Sequence, residues 1–110
     1  MDWTIEFYAG VKEAILELPP KLQARTIHLL ELMEKHGANL GEPHTKALGD
    51  GLFEVRAKAR EGIARGFFCY MDRNRVKVLH VFMKKDQKIP RKDMKLARER
   101  MKEVKRYDPQ

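Results

Sequence analysis

The chain has 110 residues, of which 43% are hydrophobic and 35% charged, and this length and composition exclude both a disordered chain and two independent domains. The net charge of +7 is uneven, because residues 1–50 hold 5 Lys and Arg against 8 Asp and Glu, whereas residues 51–110 hold 18 against 8. A C-terminal half this positive favours a polyanionic ligand, either nucleic acid or an acidic protein.

The spacing of apolar residues predicts three elements in the N-terminal half. Apolar and polar residues alternate over residues 2–8, which is typical of a half-buried strand. Apolar residues then recur at helical spacing over residues 11–18, and a Pro-Pro pair stops this helix. A second helix is predicted over residues 21–36, and we expect the two helices to form a hairpin packed on the first strand.

The C-terminal half is predicted to form three strands and a final helix. Residues 37–51 read as a loop, of which residues 46–49 are candidates to join the sheet. The strands and the helix are predicted over residues 52–58, 63–70 and 75–84, and then over residues 90–106. The order β-α-α-β-β-β-α indicates one α+β domain over residues 1–110, with an antiparallel sheet, a two-helix hairpin and a C-terminal helix.

Strand alternation predicts which basic residues share a surface. Arg56 lies on the strand face opposite to the apolar residues of its strand. Arg65 instead shares its strand face with apolar residues, and is therefore expected to have an anionic partner. The last strand has two possible registers, and we place His80, Phe82 and Lys84 on the open side of the sheet. Neighbouring strands lie about 4.8 Å apart, so one basic cluster is predicted on this side. Its members are Lys46, Arg56, Arg65, His80 and Lys84.

A basic cluster of this kind suits the cleavage of RNA without a metal. The 2′-hydroxyl of RNA attacks the adjacent phosphate, which needs a base, cations for the developing charge and an acid for the leaving 5′-oxygen. Lys84 or Lys46 is a candidate base, since neighbouring positive charges favour the neutral amine, and His80 is a candidate base or acid. Two structural alternatives stay open: His80 as a sheet residue without a catalytic role, and Arg56 as a surface partner of an acidic residue, Glu54 or Glu61.

Other chemistries have weaker support in the sequence. The four histidines lack zinc-ligand spacing, no phosphate-binding glycine motif is present, and Cys69 is the only cysteine. We therefore expect no metal, no cofactor and no internal disulfide. No apolar run is long enough for a membrane span and the N-terminus does not resemble a signal peptide, so a soluble cytoplasmic protein is expected.

Several segments of the chain carry a resemblance to a known family. They are residues 46–56 (KALGDGLFEVR), 62–65 (GIAR), 67–70 (FFCY), 79–85 (LHVFMKK) and 87–90 (QKIP). With these segments the chain resembles the toxins of the RelE/ParE superfamily, and most closely the HigB-like, phage-derived branch of bacterial type II toxin-antitoxin systems.

The resemblance implies a fold, an activity and partners. The family has a small microbial RNase fold, cleaves mRNA without a metal, usually in the ribosomal A site of the 70S ribosome, and is neutralised by a helix-turn-helix antitoxin of the HigA type. By this resemblance Arg56 and Arg65 contact the phosphate in the transition state, and Lys84, Lys85 and Lys46 complete the site. We further expect five residues to contact RNA, namely Lys58, Lys85, Lys88, Phe82 and Arg91.

Two other functions stay open at this point. The superfamily also contains inhibitors of DNA gyrase, which share the fold and act on a protein target. A non-catalytic RNA-binding module with a basic final helix fits the same charge distribution. Endoribonuclease activity is the function that the cluster of Arg and Lys on the sheet favours.

Overall fold

The computed structural model describes residues 2–84 and 89–107. Within them the chain forms five strands and three helices. These are β1 (Thr4–Phe7), α1 (Val11–Leu16), α2 (Pro20–His36), β2 (Thr45–Gly49), β3 (Leu52–Ala59), β4 (Gly62–Met71), β5 (Arg75–Lys84) and α3 (Arg91–Tyr107). The predicted α+β order is confirmed, with β2 added from the segment expected as a loop. No helix in the described part of the chain is long and apolar enough to cross a membrane.

The strands form one mixed sheet in the order β1-β5-β4-β3-β2. Strands β2 to β5 pair as an antiparallel meander, whereas β1 pairs with β5 in parallel. The expectation of a wholly antiparallel sheet was therefore wrong. Alternation along β1 reveals a strand but not its neighbour, and the partner of β1 lies about 70 residues further along the chain.

Helices cover both faces of this sheet and create two apolar layers. The first lies between the α1–α2 pair and the sheet, where Leu22, Leu29 and Met33 pack with strand residues such as Val55 and Phe68. The hairpin thus covers the centre of the sheet and not β1 alone. The second layer lies beneath α3. It contains Leu52, Phe67, Cys69, Met71, Leu79 and Ala97.

A β-bulge in β5 decides which residues of that strand face α3. Phe67 pairs with His80 and Phe68 pairs with Val78, so Leu79 is an extra residue on β5. Val76 and Val78 consequently face the α1–α2 layer, while His80 lies on the opposite face beside Phe67. Neither of the two unbroken registers considered from the sequence is correct, because the bulge changes the register between Val78 and His80.

Candidate active site

The predicted basic residues lie in three rows across the α3 side of the sheet. Because residues paired on neighbouring antiparallel strands project to the same face, each row brings its side chains together. The first row contains Lys46, Glu54, Phe67 and His80. The second contains Arg56, Arg65 and Phe82. The third contains Lys58, Ile63 and Lys84. The five residues predicted to be catalytic therefore share one face as expected, but it is the face on which α3 packs and not an open one.

Three of the five predicted catalytic residues line one cavity, which we call the cation cavity. It measures about 180 Å³, and its walls are Glu42, Pro43, Lys46, Leu48, Glu54, Arg56, Arg65 and Ile89. At about 30 Å³ per water molecule this space is large enough for a phosphate group. Lys46 lies exposed at its rim, and Arg56 is half-buried in its wall.

The innermost member of the cation cavity is a buried ion pair. Arg65 Nη1 donates to Glu54 Oε2 at 2.6 Å, and the two side chains are only 2% and 4% exposed. The anionic partner expected for Arg65 is therefore present inside the protein. The cluster is not purely cationic, which corrects the sequence-based interpretation. Lys46 lies directly opposite Glu54 on the neighbouring strand β3.

Three other members of the cluster differ from Arg65 in having no counter-ion among the described residues. Within residues 2–84 and 89–107, Lys46, Arg56 and Lys84 form no ion pair. The alternative in which Arg56 pairs with Glu54 or Glu61 does not occur: Glu54 binds Arg65, and Glu61 accepts a hydrogen bond from the backbone amide of Leu22 at 2.9 Å. These cations are thus available to an external anion.

His80 lies on the predicted face but is covered by α3. Its Nε2 is 2.7 Å from Asp93 Oδ1, and Asp93 is a buried residue in the first turn of α3. The ring also stacks on Phe82, with centroids 5.2 Å apart. His80 does not line the cation cavity and opens instead into a separate depression beside α3. The surface predicted to be open at His80 is therefore closed, because the final helix packs across it.

Three of the five residues predicted to contact RNA lie in the described part of the chain. Phe82 is half-buried and pairs with Arg65, Lys58 is exposed on β3, and Arg91 is exposed at the first position of α3. Lys85 and Lys88 lie outside the described residues. These assignments stay predictions.

Sequence reasoning considered Glu54 only as a surface partner of Arg56 and assigned no role to Asp93. Glu54 shares the outward-facing register with Arg56, and only the buried contact with Arg65 shows that it belongs to the site. Asp93 was hidden in a helix that is rich in charge. A contact between a buried carboxylate and a buried cation can be recognised only from the three-dimensional structure.

Two further features do not fit a reactive centre. Burial raises the pKa of the Cys69 thiol, only partly opposed by Lys105 and Lys77, so the nucleophilic thiolate is disfavoured. A larger concavity of about 470 Å³ between β1 and the α1–α2 pair has mostly apolar walls, and its charged lining residues are Lys12, Glu31 and Glu34, whose net negative charge does not suit an RNA phosphate. Across the described ranges, His, Cys, Asp and Glu side chains form no cluster of three suited to a metal.

Comparisons with solved structures identify the fold. The E. coli toxin RelE, solved as a mutant in the free state, superposes with a TM-score of 0.62 at 12% identity, covering 94% of this chain and 99% of that one. The RelBE2 toxin-antitoxin complex from Mycobacterium tuberculosis gives a TM-score of 0.57 at 18% identity, covering 76% of this chain and all of that one. The archaeal RelE–RelB complex from Pyrococcus horikoshii gives 0.56 at 19% identity, covering 76% and 96%.

At these identities the likeness establishes the fold, and it confirms the RelE-like architecture that the sequence predicted. Among curated proteins none matches the sequence. The family model described as "Phage derived protein Gp49-like (DUF891)" matches residues 13–102, which is most of the chain. The protein therefore belongs to the phage-derived Gp49-like family and has the fold of RelE toxins.

Proposed function

We propose that this protein is the toxin of a type II toxin-antitoxin system and that it cleaves mRNA as a metal-independent endoribonuclease. The observation that carries the proposal is the cation cavity. It combines a buried guanidinium held by a carboxylate, Arg65 with Glu54, and two cations, Arg56 and Lys46, that have no counter-ion among residues 2–84 and 89–107. A cavity of this size and charge suits one phosphate of an RNA strand.

Residues of the cavity, together with Lys84 and His80 on the adjoining strand β5, divide the chemistry of strand cleavage among them. The 2′-oxygen of the nucleotide bonds to phosphorus while the bond from phosphorus to the 5′-oxygen breaks, which leaves a 2′,3′-cyclic phosphate and a 5′-hydroxyl. Arg56 binds the phosphate oxygens as negative charge builds up on them. Arg65, buried beneath the cavity, stabilises the same charge. Lys46 at the rim and Lys84 on β5 are the proposed proton acceptors, and His80, with its ring oriented by Asp93, is the proposed proton donor.

The proposed partners follow from the solved relatives and from the charge of the chain. Two of the similar structures are described as a toxin-antitoxin complex and as a RelE–RelB complex, which supports an antitoxin as partner of this chain. We extend the proposal to a helix-turn-helix antitoxin of the HigA type and to mRNA presented by the 70S ribosome. The positive C-terminal half of the chain favours both the acidic surface of such an antitoxin and RNA.

The decisive experiment maps RNA 5′ ends across the transcriptome within minutes of inducing the protein. We expect new 5′ ends inside coding regions, in phase with codons if ribosomes present the substrate. Arg56→Ala should remove them, because it deletes a phosphate contact, while the half-buried Arg56 side chain has no ion pair with any residue that the structure describes. Arg60→Ala is the matched control, since Arg60 is exposed in the turn after β3 and lies outside the cavity.

This mapping, together with assays of the purified protein, discriminates the RNase from the other two functions. Growth arrest with intact mRNA and a DNA-damage response would identify a gyrase inhibitor and refute the RNase. RNA binding without any cleavage product, by the purified protein and on ribosomes, would identify a binding module. Cleavage by purified protein should persist in a chelator of divalent cations, and its complete loss there would contradict the metal-independent mechanism.

A further inference from the structure

Helix α3 carries a row of basic side chains along one side, which we call the α3 stripe. Its members are Arg91, Lys95, Arg98, Lys102 and Arg106. They recur at intervals of three or four residues, so they lie on one face of the helix. At 1.5 Å per residue the stripe extends about 22 Å. Four of its five members are exposed, and Arg98 is half-buried.

Most charged residues of α3 outside the stripe have structural contacts. Asp93 binds His80, Arg100 Nη1 donates to the carbonyl of Leu79 at 2.7 Å, and Glu103 accepts from the hydroxyl of Tyr8 at 2.8 Å. The helix is therefore attached to the sheet through other sides. Within the described residues Arg91, Lys95 and Lys102 have no ion pair. The ion pair and hydrogen bonds that attach α3 to the sheet therefore do not involve these three cations.

The α3 stripe is continuous with the cation cavity. Arg98 donates to the carbonyls of Leu48 and Gly49 at 3.3 Å, which places the middle of the stripe against the end of β2. Leu48 also lines the cation cavity. Ile89 lines both the cavity and a groove of about 550 Å³ that runs beside Lys95 and Lys102. One surface thus leads from the cavity along the helix.

From this continuity we infer that the α3 stripe binds the backbone phosphates of the RNA strand whose scissile phosphate occupies the cation cavity. The inference rests on the proposed function, because it takes the cleaved strand as the occupant. A row of cations along a groove, of which Arg91, Lys95 and Lys102 have no ion pair within the described residues, matches the regular charge of a single strand, and its length accommodates several phosphates. One carboxylate, Glu99, lines the same groove at its flank and faces Lys95 and Lys102 along the helix.

The test measures binding of single-stranded RNA to the purified full chain by fluorescence anisotropy over a range of salt concentrations. The probes are a labelled 12-mer and a labelled trinucleotide, both with 2′-O-methyl groups so that no attacking hydroxyl is present. The stripe variant is Lys95→Ala with Lys102→Ala. The control variant, Lys21→Ala with Lys35→Ala, removes the same charge from exposed positions of α2 on the opposite side of the sheet. Thermal unfolding verifies that both variants fold.

We expect the stripe variant to bind the 12-mer at least about fivefold more weakly than wild type and to reduce the salt slope by about 1.4, which corresponds to two phosphate contacts on a single strand. The trinucleotide, which places one phosphate in the cavity and is too short to extend along the stripe, should bind all three proteins equally. Equal weakening by the stripe and control variants would overturn the inference, since it would show only a net-charge effect. Unchanged RNA binding together with loss of binding to an acidic antitoxin would also overturn the inference. That result would show that the stripe is a protein-binding surface.

Cleavage of an unmodified 12-mer separates failure of this inference from failure of the proposed function. If wild type cleaves and the stripe variant binds and cleaves equally well, the stripe has no role in RNA binding. The proposal of endoribonuclease activity is then retained. If wild type does not cleave, even on ribosomes, but RNA binding still depends on Lys95 and Lys102, the RNase fails. The α3 stripe is then established as an RNA-binding surface in its own right.

Discussion

Glu54 Oε2 accepts a hydrogen bond from Arg65 Nη1 at 2.6 Å beneath the cation cavity, where both side chains are almost completely buried. A guanidinium at this depth requires a counter-charge, because transfer of an isolated ion out of water costs several kcal/mol. The two residues lie on neighbouring strands but are not directly paired: Arg65 pairs with Arg56, and Glu54 pairs with Phe67. The ion pair is therefore diagonal across the sheet, and it fixes the guanidinium under the site that we assign to the phosphate.

Removal of the carboxylate alone should be the most damaging change in this pair. Glu54→Ala leaves the buried charge of Arg65 without its partner, and we expect a loss of about 3–5 kcal/mol in the free energy of unfolding, measured by urea denaturation. Glu54→Leu combined with Arg65→Met removes both charges and should recover most of that stability. A double variant that is no more stable than Glu54→Ala would contradict this account.

The same double variant tests whether the pair also serves the chemistry. If Arg65 supports the phosphate charge, the folded double variant should cleave RNA at least about 100-fold more slowly than wild type. The measurement is initial cleavage rate on a synthetic RNA under conditions where more than nine-tenths of the protein is folded. Wild-type rates from the stable double variant would assign the pair a structural role only.

Arg56→Lys tests whether the cavity needs a guanidinium or only a positive charge. The substitution keeps the charge but replaces a planar fork of donors with a single ammonium, which cannot bind two phosphate oxygens in the same way. We expect RNA binding at low salt to change by less than about twofold while the cleavage rate falls at least about tenfold. Equal cleavage by both proteins would show that Arg56 acts through charge alone.

The contact between His80 and Asp93 should secure the first turns of α3. Asp93→Ala removes the buried carboxylate and the only acid of the first helical turn, and a cost of about 1–3 kcal/mol is expected. Hydrogen exchange should become faster in α3 and stay unchanged in α2. Glu99→Ala is the control on the same helix, since Glu99 is exposed. Faster exchange throughout the protein would instead indicate global destabilisation.

Stability should decline at alkaline pH because one buried group and one half-buried group resist ionisation in the folded state. Burial raises the pKa of the Cys69 thiol and that of the Tyr70 hydroxyl. The unfolded chain ionises first, at about pH 8.5 for Cys and 10 for Tyr, and therefore binds fewer protons than the folded chain above these values. The contribution is complete below about pH 8 and is lost as pH rises through the folded pKa values.

Urea unfolding at pH 7.5, 8.5 and 9.5 measures this decline, with Cys69→Ala as the comparison. The variant lacks the thiol, so its free energy of unfolding should fall less steeply over the same interval, although its absolute stability is lower because Cys69 is fully buried. Parallel pH profiles for the two proteins would show that ionisation of Cys69 does not contribute.

Periodicity predicted the helices and strands because it records which side of each element is apolar. The ends of α2, β5 and α3 agree with the sequence prediction to within one residue. The bulge at Leu79 was not predictable in this way, since one extra residue shifts every later side chain to the other face without changing the composition of the strand. Because Leu79 is this extra residue, the side chain of His80 projects toward α3 and not toward the α1–α2 pair.

The sequence alone determined the class of fold and that Lys46, Arg56 and Arg65 share one surface, since local spacing sets the direction of each side chain along its own strand. Tertiary structure decided which charges are neutralised. Glu54 binds Arg65 and Asp93 binds His80, while Arg56 and Lys46 face the cavity without an ion pair in the described part of the chain. Such pairings join residues from different elements, and the spacing within a single element does not encode a contact between two of them.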